Sequence, residues 1–304
     1  GLFGDLDRAT MRVLPLILLS LASVLAAPSD RELFEKEIVK NLDLDQFEVD
    51  KKILAGRVAE EAAEHAEEAK ELLSHIPLIP EGDAEAERAE EAVNSAIANE
   101  TFEGDILLTK EQLAAIVGDV KGAGRSRRQA YTPPGRYPSN IWGTQIIPFS
   151  FAPSASEEIK RLFRLATRFW STHTCVNFGE NHPGNDRIEV VSGGGCSSHV
   201  GRIGGKQQLS LSNDGCNRFA TATHELEHAL GVYHEQSRPD RANFVDIVMS
   251  NIQKSMQYNF YAQGTHNTSS FDVPYEFGSN MHYTQDSFAL DYRQPTILAR
   301  PYYK

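Results

Sequence analysis

Cysteine is scarce in this 304-residue chain: there are three, Cys175, Cys196 and Cys216, all in the second half. So few thiols exclude a disulfide-dense miniature scaffold, and an odd number in an exported protein leaves one thiol without an intramolecular partner. Long apolar runs are equally rare. Val13 to Ala26 is almost entirely apolar, but it is too short to span a bilayer, and no later segment reaches its length. A basic excess is missing as well. The net charge is −12; residues 28–128 carry 25 acidic against 13 basic side chains, and residues 129–304 carry 15 of each. The acidity therefore belongs to the first region, and the neutral second half argues against a nucleic-acid partner.

The apolar run follows Met11-Arg12 and ends in Val24-Leu25-Ala26 before Ala27. A positive start, a short apolar stretch and small residues at a cleavage point read as a secretory signal over 11–27, so the product is expected outside the cell and without a membrane span. Residues 1–10, which open on Gly1, read as an upstream artefact. Residues 28–128 are rich in Ala, Glu, Leu and Lys, with helices predicted near 31–41, 57–74 and 84–98; Pro77 and Pro80 separate the last two. The region ends in Arg125-Ser126-Arg127-Arg128 after a Gly-containing linker. A multibasic run placed there suits a processing protease cutting after Arg128, which makes 28–128 a propeptide and Gln129 the first residue of the mature chain. Asn99-Glu100-Thr101 and Asn267-Thr268-Ser269 are glycosylation sequons.

Residues 129–304 read as α+β. Strands are predicted at Gln145–Phe151, Arg187–Val191 and His199–Ile203, with an edge strand beside a cleft at Gln207–Ser212. Ser156–Thr172 reads as an amphipathic helix with Ile159, Leu162, Phe163, Ala166 and Trp170 on one stripe.

Residues 224–235 read His-Glu-Leu-Glu-His-Ala-Leu-Gly-Val-Tyr-His-Glu. On a helix, His224 and His228 lie one turn apart on one face, where both can reach a single metal ion. Glu225 is placed to bond a water beside that ion and not the ion itself. Gly231 ends the helix, since glycine takes the left-handed conformation at little cost, and the turn brings in His234. Three imidazoles with one open position are what a catalytic zinc requires, with one Zn²⁺ per chain.

The continuation His-Glu-Gln-Ser-Arg-Pro-Asp-Arg (234–241) and the later Ser279-Asn280-Met281-His282-Tyr283 resemble the astacin family of metzincin zinc endopeptidases. Similarity runs from about Trp142 to the last residues, through Thr174–Phe178, Gly195-Cys196 and His199–Arg202, and so covers most of the second half. The resemblance implies a mixed sheet with a zinc-binding helix and an irregular lower half, acting on protein or peptide substrates. It implies that His224, His228 and His234 bind zinc, that Glu225 is the general base, that Met281 floors the metal, and that Tyr283 lies near the metal and donates to the oxyanion. Glu235 resembles the residue that anchors the new amino terminus after activation. Phe102-Glu103-Gly104-Asp105 resembles the family's aspartate switch, in which Asp105 binds the zinc of the latent precursor. Cys196 and Cys216 correspond to a bonded pair, and Cys175 to a cysteine whose partner lies near the domain end; the chain stops at Lys304, before that position, and is expected to be truncated. Ala242 stands where the family usually has an acidic residue, and Asn280 where it is more often apolar. The competing readings are a secreted binding module that keeps the cleft without the chemistry, and a non-functional fragment.

Overall fold

A computed structural model describes residues 43–73, 85–120, 140–143, 146–265 and 268–301. The signal segment, the helix expected near 31–41, Arg125, Arg127, Arg128, Gln129, Asn267 and Lys304 lie outside the described residues.

The first region supplies helices α1 (Leu44–Glu64), α2 (Ala66–Leu73), α3 (Glu85–Asn94) and α4 (Lys110–Val120), and a two-residue strand β1 (Ile106–Leu107). The helix expected to start near 57 begins at Leu44. Asp43 caps it, its Oδ1 accepting from Gln46 N at 3.1 Å, and its buried face runs Phe47, Asp50, Lys51, Leu54, Val58. Two polar members interrupt the apolar stripe and hide its period from the sequence. Lys51 is accommodated over the rings of Phe47 and Tyr258, with its Nζ 4.7 and 4.9 Å from their centroids. Helix α4 opens on a capping box: Thr109 Oγ1 accepts from Gln112 N at 3.2 Å, and Gln112 Oε1 accepts from Thr109 N at 2.9 Å.

The second region adds β2 (Ile147–Phe151), α5 (Glu157–His173), β3 (Phe178–Glu180), β4 (Arg187–Val191), β5 (Cys196–His199), β6 (Lys206–Leu211), α6 (Phe219–Leu230), β7 (Val245–Ile247) and β8 (Ile297–Ala299). In the main sheet the strand order is β1-β5-β6-β4-β2-β3; all neighbours run parallel except β5 and β6. Helix α5 begins at the Ser156 cap with Glu157 and Glu158 in its first turn, and buries Ile159, Leu162, Phe163 and Ala166 against Phe149, Ile188 and Leu209. Trp170, the last member of the expected stripe, is only partly buried. Helix α6 joins the same core through Ala222, Leu226 and Ala229.

Two expectations are corrected. The strand predicted at Gln207–Ser212 is present as β6 but is not an edge: β4 and β5 flank it. The strand predicted at His199–Ile203 is instead β5, ending at His199. Gly201 takes φ 72° and donates its N–H to His228 O at 2.9 Å, which turns the chain out of the sheet. One edge of the second region's sheet is thus β5, the other being β3, and the first region covers β5 with β1, pairing Ile106 with Ser198 and Leu107 with His199.

Below the sheet, 3₁₀ turns and the small β7–β8 ribbon form the expected irregular half. The first region is built into this half. Phe47, Leu54, Phe102, Ile106 and Ile116 share one buried cluster with Val245, Ile252, Tyr258 and Phe260. Each such side chain contributes about 1.5–3 kcal/mol on burial, so the two regions are held as one folded unit. Among the described residues no helix is long and apolar enough to cross a membrane.

Candidate metal centre

Helix α6 carries His224 and His228 on one face and stops at Leu230; Gly231, at φ 112° and ψ 14°, donates its N–H back into the last turn. The chain then delivers His234 to the same point. His224 Nε2 and His234 Nε2 are 3.3 Å apart. Asp105 faces all three rings: its oxygens are 3.2 Å from His224 Nε2, 3.3 Å from His228 Nε2 and 3.4 Å from His234 Nε2. A tetrahedral zinc with bonds of 2.0–2.1 Å has ligand–ligand edges of about 3.3–3.4 Å, close to these separations, with Asp105 meeting His224 and His234 through Oδ2 and His228 through Oδ1.

The far side of each ring is fixed. His224 Nδ1 faces Asn280 O at 2.7 Å, His228 Nδ1 faces Val232 O at 2.8 Å, and His234 Nδ1 faces Glu103 Oε2 at 2.9 Å. Each of these acceptors requires the proton on Nδ1, which leaves Nε2 lone pairs directed at the common centre. His228 Nε2, Asp105 Oδ1 and both oxygens of Glu225 are buried and make no hydrogen bond within the chain. Buried acceptors of this kind call for a cation or solvent partner. The residues present therefore fit zinc.

Asp105 is placed by a tight loop. Phe102 and Ile106 exchange both backbone hydrogen bonds at 2.9 Å, and Phe102 is fully buried. Gly104 takes φ 82°, a conformation that other residues rarely adopt, and a Cβ there would also press on the ring tip of Phe288, 2.9 Å away. Burial opposes the charge on Asp105, but the His234, His228 and His224 rings that face it hold its carboxyl well below the usual range. Glu225, fully buried, is pushed the other way by burial and by the charges of Asp105 and Glu90.

Tyr283 donates its hydroxyl to Glu103 O at 2.5 Å, and its ring lies 4.7 Å from that of His234. Burial and the charges of Asp105 and Glu103 raise its phenol well above the ordinary value, so it is a neutral donor. Met281 is buried, and its carbonyl accepts from Glu235 N at 2.7 Å, tying the Met281–Tyr283 segment to the His234 turn. Glu235 Oε1 accepts from Arg238 Nη1 at 3.0 Å and from Glu276 N at 2.9 Å. Cys196 and Cys216 are disulfide-bonded, and Cys175 is an exposed free thiol. Asn99 is exposed on the turn after α3.

Sequence reasoning missed the residues by which the first region closes the cleft. Glu90 Oε2 accepts from Thr221 Oγ1 at 2.9 Å, Glu91 Oε1 from Phe288 N at 2.9 Å, and Asn94 Oδ1 from Cys196 N at 2.7 Å. Arg241, 1 % exposed, is held by both oxygens of Glu61 at 3.0 and 2.9 Å. The pairs that Glu90 and Glu61 make span 131 and 180 positions, which no local periodicity records.

Residues 135–303 match the peptidase family described as Astacin. Zinc metalloproteinase nas-38 of Caenorhabditis elegans is 40% identical over 208 residues, covering 68% of this chain and 28% of the relative. Blastula protease 10 of Paracentrotus lividus is 36% identical over 209 residues, 66% of this chain and 34% of that protein. The chain thus spans about a third or less of the length of these curated relatives. Among solved structures, high choriolytic enzyme 1 from Oryzias latipes, a hatching enzyme zinc-protease, superposes with TM-score 0.51 at 35% identity, covering 55% of this chain and 84% of that one. With a family match over more than half of its length and an imidazole cluster of matching chemistry, the chain belongs to the astacin family.

Proposed function

We propose that the chain is a secreted zinc endopeptidase made as a latent precursor, with residues 11–27 as signal, 28–128 as propeptide and 129–304 as the peptidase domain. The observation that carries this reading is the convergence of three imidazole Nε2 atoms and one first-region carboxylate at metal-ligand spacing. His224, His228 and His234 would hold one Zn²⁺, and in the precursor Asp105 would be a further ligand to it. Zinc, when bound, polarises the scissile carbonyl and makes a water more acidic.

The chain's own residues do the rest. An extended substrate lies antiparallel along β5, held by main-chain hydrogen bonds. The first region takes that edge with β1 running parallel to β5, opposite to a substrate, which keeps its own peptide bonds out of register. Once it leaves, Glu225 accepts the proton of the attacking water and returns it to the leaving nitrogen. Tyr283, released from Glu103 O, donates to the oxyanion. Met281 supports the histidines from below. Glu235 receives the new amino terminus at Gln129, and a processing protease acting after Arg128 with Arg125 and Arg127 in its subsites starts the change. Asn99 and Asn267 are candidate glycan sites.

The test converts the precursor at Arg128 and offers a quenched protein or peptide library with and without a zinc chelator. Cleavage that the chelator stops supports the reading. A folded, zinc-loaded product that cuts nothing overturns it and leaves a binding module.

A further inference from the structure

Glu103 stands beside the centre, the reaction proposed above gives its carboxylate no part, and its circumstances are costly. It is fully buried and sits at φ 50°, a left-handed backbone that side chains other than glycine rarely adopt. Both oxygens are directed: Oε2 lies 2.9 Å from His234 Nδ1, and Oε1 accepts from Gln263 Nε2 at 2.9 Å. Asp105 Oδ2 meets the other nitrogen of the same ring, Nε2, at 3.4 Å. One short loop, closed by the paired hydrogen bonds of Phe102 and Ile106, thus grips His234 from both edges.

The other two histidines differ. His224 and His228 orient themselves on backbone carbonyls of Asn280 and Val232, which belong to the peptidase half. His234 alone takes its acceptor from the first region, and that acceptor is a carboxylate, which makes a stronger hydrogen bond than a neutral carbonyl and increases the basicity of the ring.

We propose that Glu103 is a positioning residue for His234, a detachable carboxylate that strengthens the zinc site of the latent chain and departs on activation. This inference rests on the reading of the site as a zinc centre. It makes the first region a contributor to metal retention as well as a plug, through a residue separate from the one that takes the fourth position.

The experiment uses the full unprocessed chain as wild type, E103Q and E103A. Zinc affinity is measured by competition with a chromophoric chelator, and the Co²⁺-substituted forms are compared by visible absorption. E103A is expected to bind zinc about 10–100-fold more weakly. E103Q, of the same shape without the charge, shifts in the same direction by less, and its cobalt bands move while its metal-free melting temperature stays near wild type. Wild-type zinc affinity and an unmoved cobalt spectrum in E103Q overturn the proposal, and E103Q decides alone if E103A does not fold. A wild-type chain that takes up no zinc removes the zinc-centre reading together with this inference; zinc uptake with E103Q indistinguishable from wild type removes the inference alone.

Discussion

Asp105 Oδ2 lies 3.2 Å from His224 Nε2 although 119 positions separate the two residues. The contact joins a loop of the first region to the helix that carries His224 and His228 in the second, and the proposed latency turns on it. Changing Asp105 to Ala leaves the three imidazoles in place and opens the fourth corner. The uncleaved D105A chain is expected to hydrolyse a quenched peptide above the wild-type precursor background, though below the processed enzyme, because α3 and β1 still cover the cleft. Equal latency in the two uncleaved precursors would show that Asp105 does not hold the site shut.

Glu225 and Tyr283 are assigned different work, and kinetics separates them. In the processed enzyme, Glu225→Gln is expected to retain zinc while kcat falls about 10²–10⁴-fold, the usual contribution of a positioned proton acceptor. Tyr283→Phe removes one oxyanion donor and is expected to lower kcat about 10²–10³-fold. Metal analysis beside the rates checks both: a Glu225→Gln variant that still cuts peptides removes that residue from the mechanism.

Much of this site was legible because its signals are local. The His224–His228 spacing, the Gly231 stop and the return to His234 are consequences of helical period and backbone sterics, and each is found where the residues place it. The sheet was less legible. Gln207–Ser212 reads as an edge strand, yet β6 is interior, because strand order depends on which distant segments pair and not on the alternation within one strand. Strand β1 has two residues, too few to show a period. Helix α1 hides behind Asp50 and Lys51 on its buried face. The cap of α4 was there to be read in Thr109 and Gln112, a residue pair with the spacing of a capping box. Glu103 belongs to the Phe102–Asp105 motif, but its partners His234 and Gln263 lie 131 and 160 positions away, beyond any local pattern.

Strand β5 also gives the uncleaved chain a pH response. His199 is buried on β5 with its Nδ1 2.8 Å from Leu107 O, and burial lowers its pKa to about 4, with that carbonyl acting in the opposite direction. Its ordinary value is 6.5, so between pH 6.5 and 4 the unfolded chain binds the proton that the folded chain refuses. The stability from neutral His199 is complete above pH 6.5 and is lost as pH falls toward 4, by roughly 3 kcal/mol in order of magnitude. His199→Asn keeps a donor toward Leu107 O without the titration. Urea unfolding of the uncleaved chain from pH 7 to 4 is expected to show a shallower acid loss in H199N than in wild type, and parallel curves would refute the assignment.

The central claim concerns where a single metal ion sits. Anomalous diffraction at the zinc edge from crystals of the unprocessed chain, grown with saturating zinc, locates it directly. One zinc bonded to Nε2 of His224, His228 and His234 with an Asp105 oxygen as fourth ligand is the predicted result. A chain that takes up no zinc, or a zinc bound away from these three rings, contradicts the account.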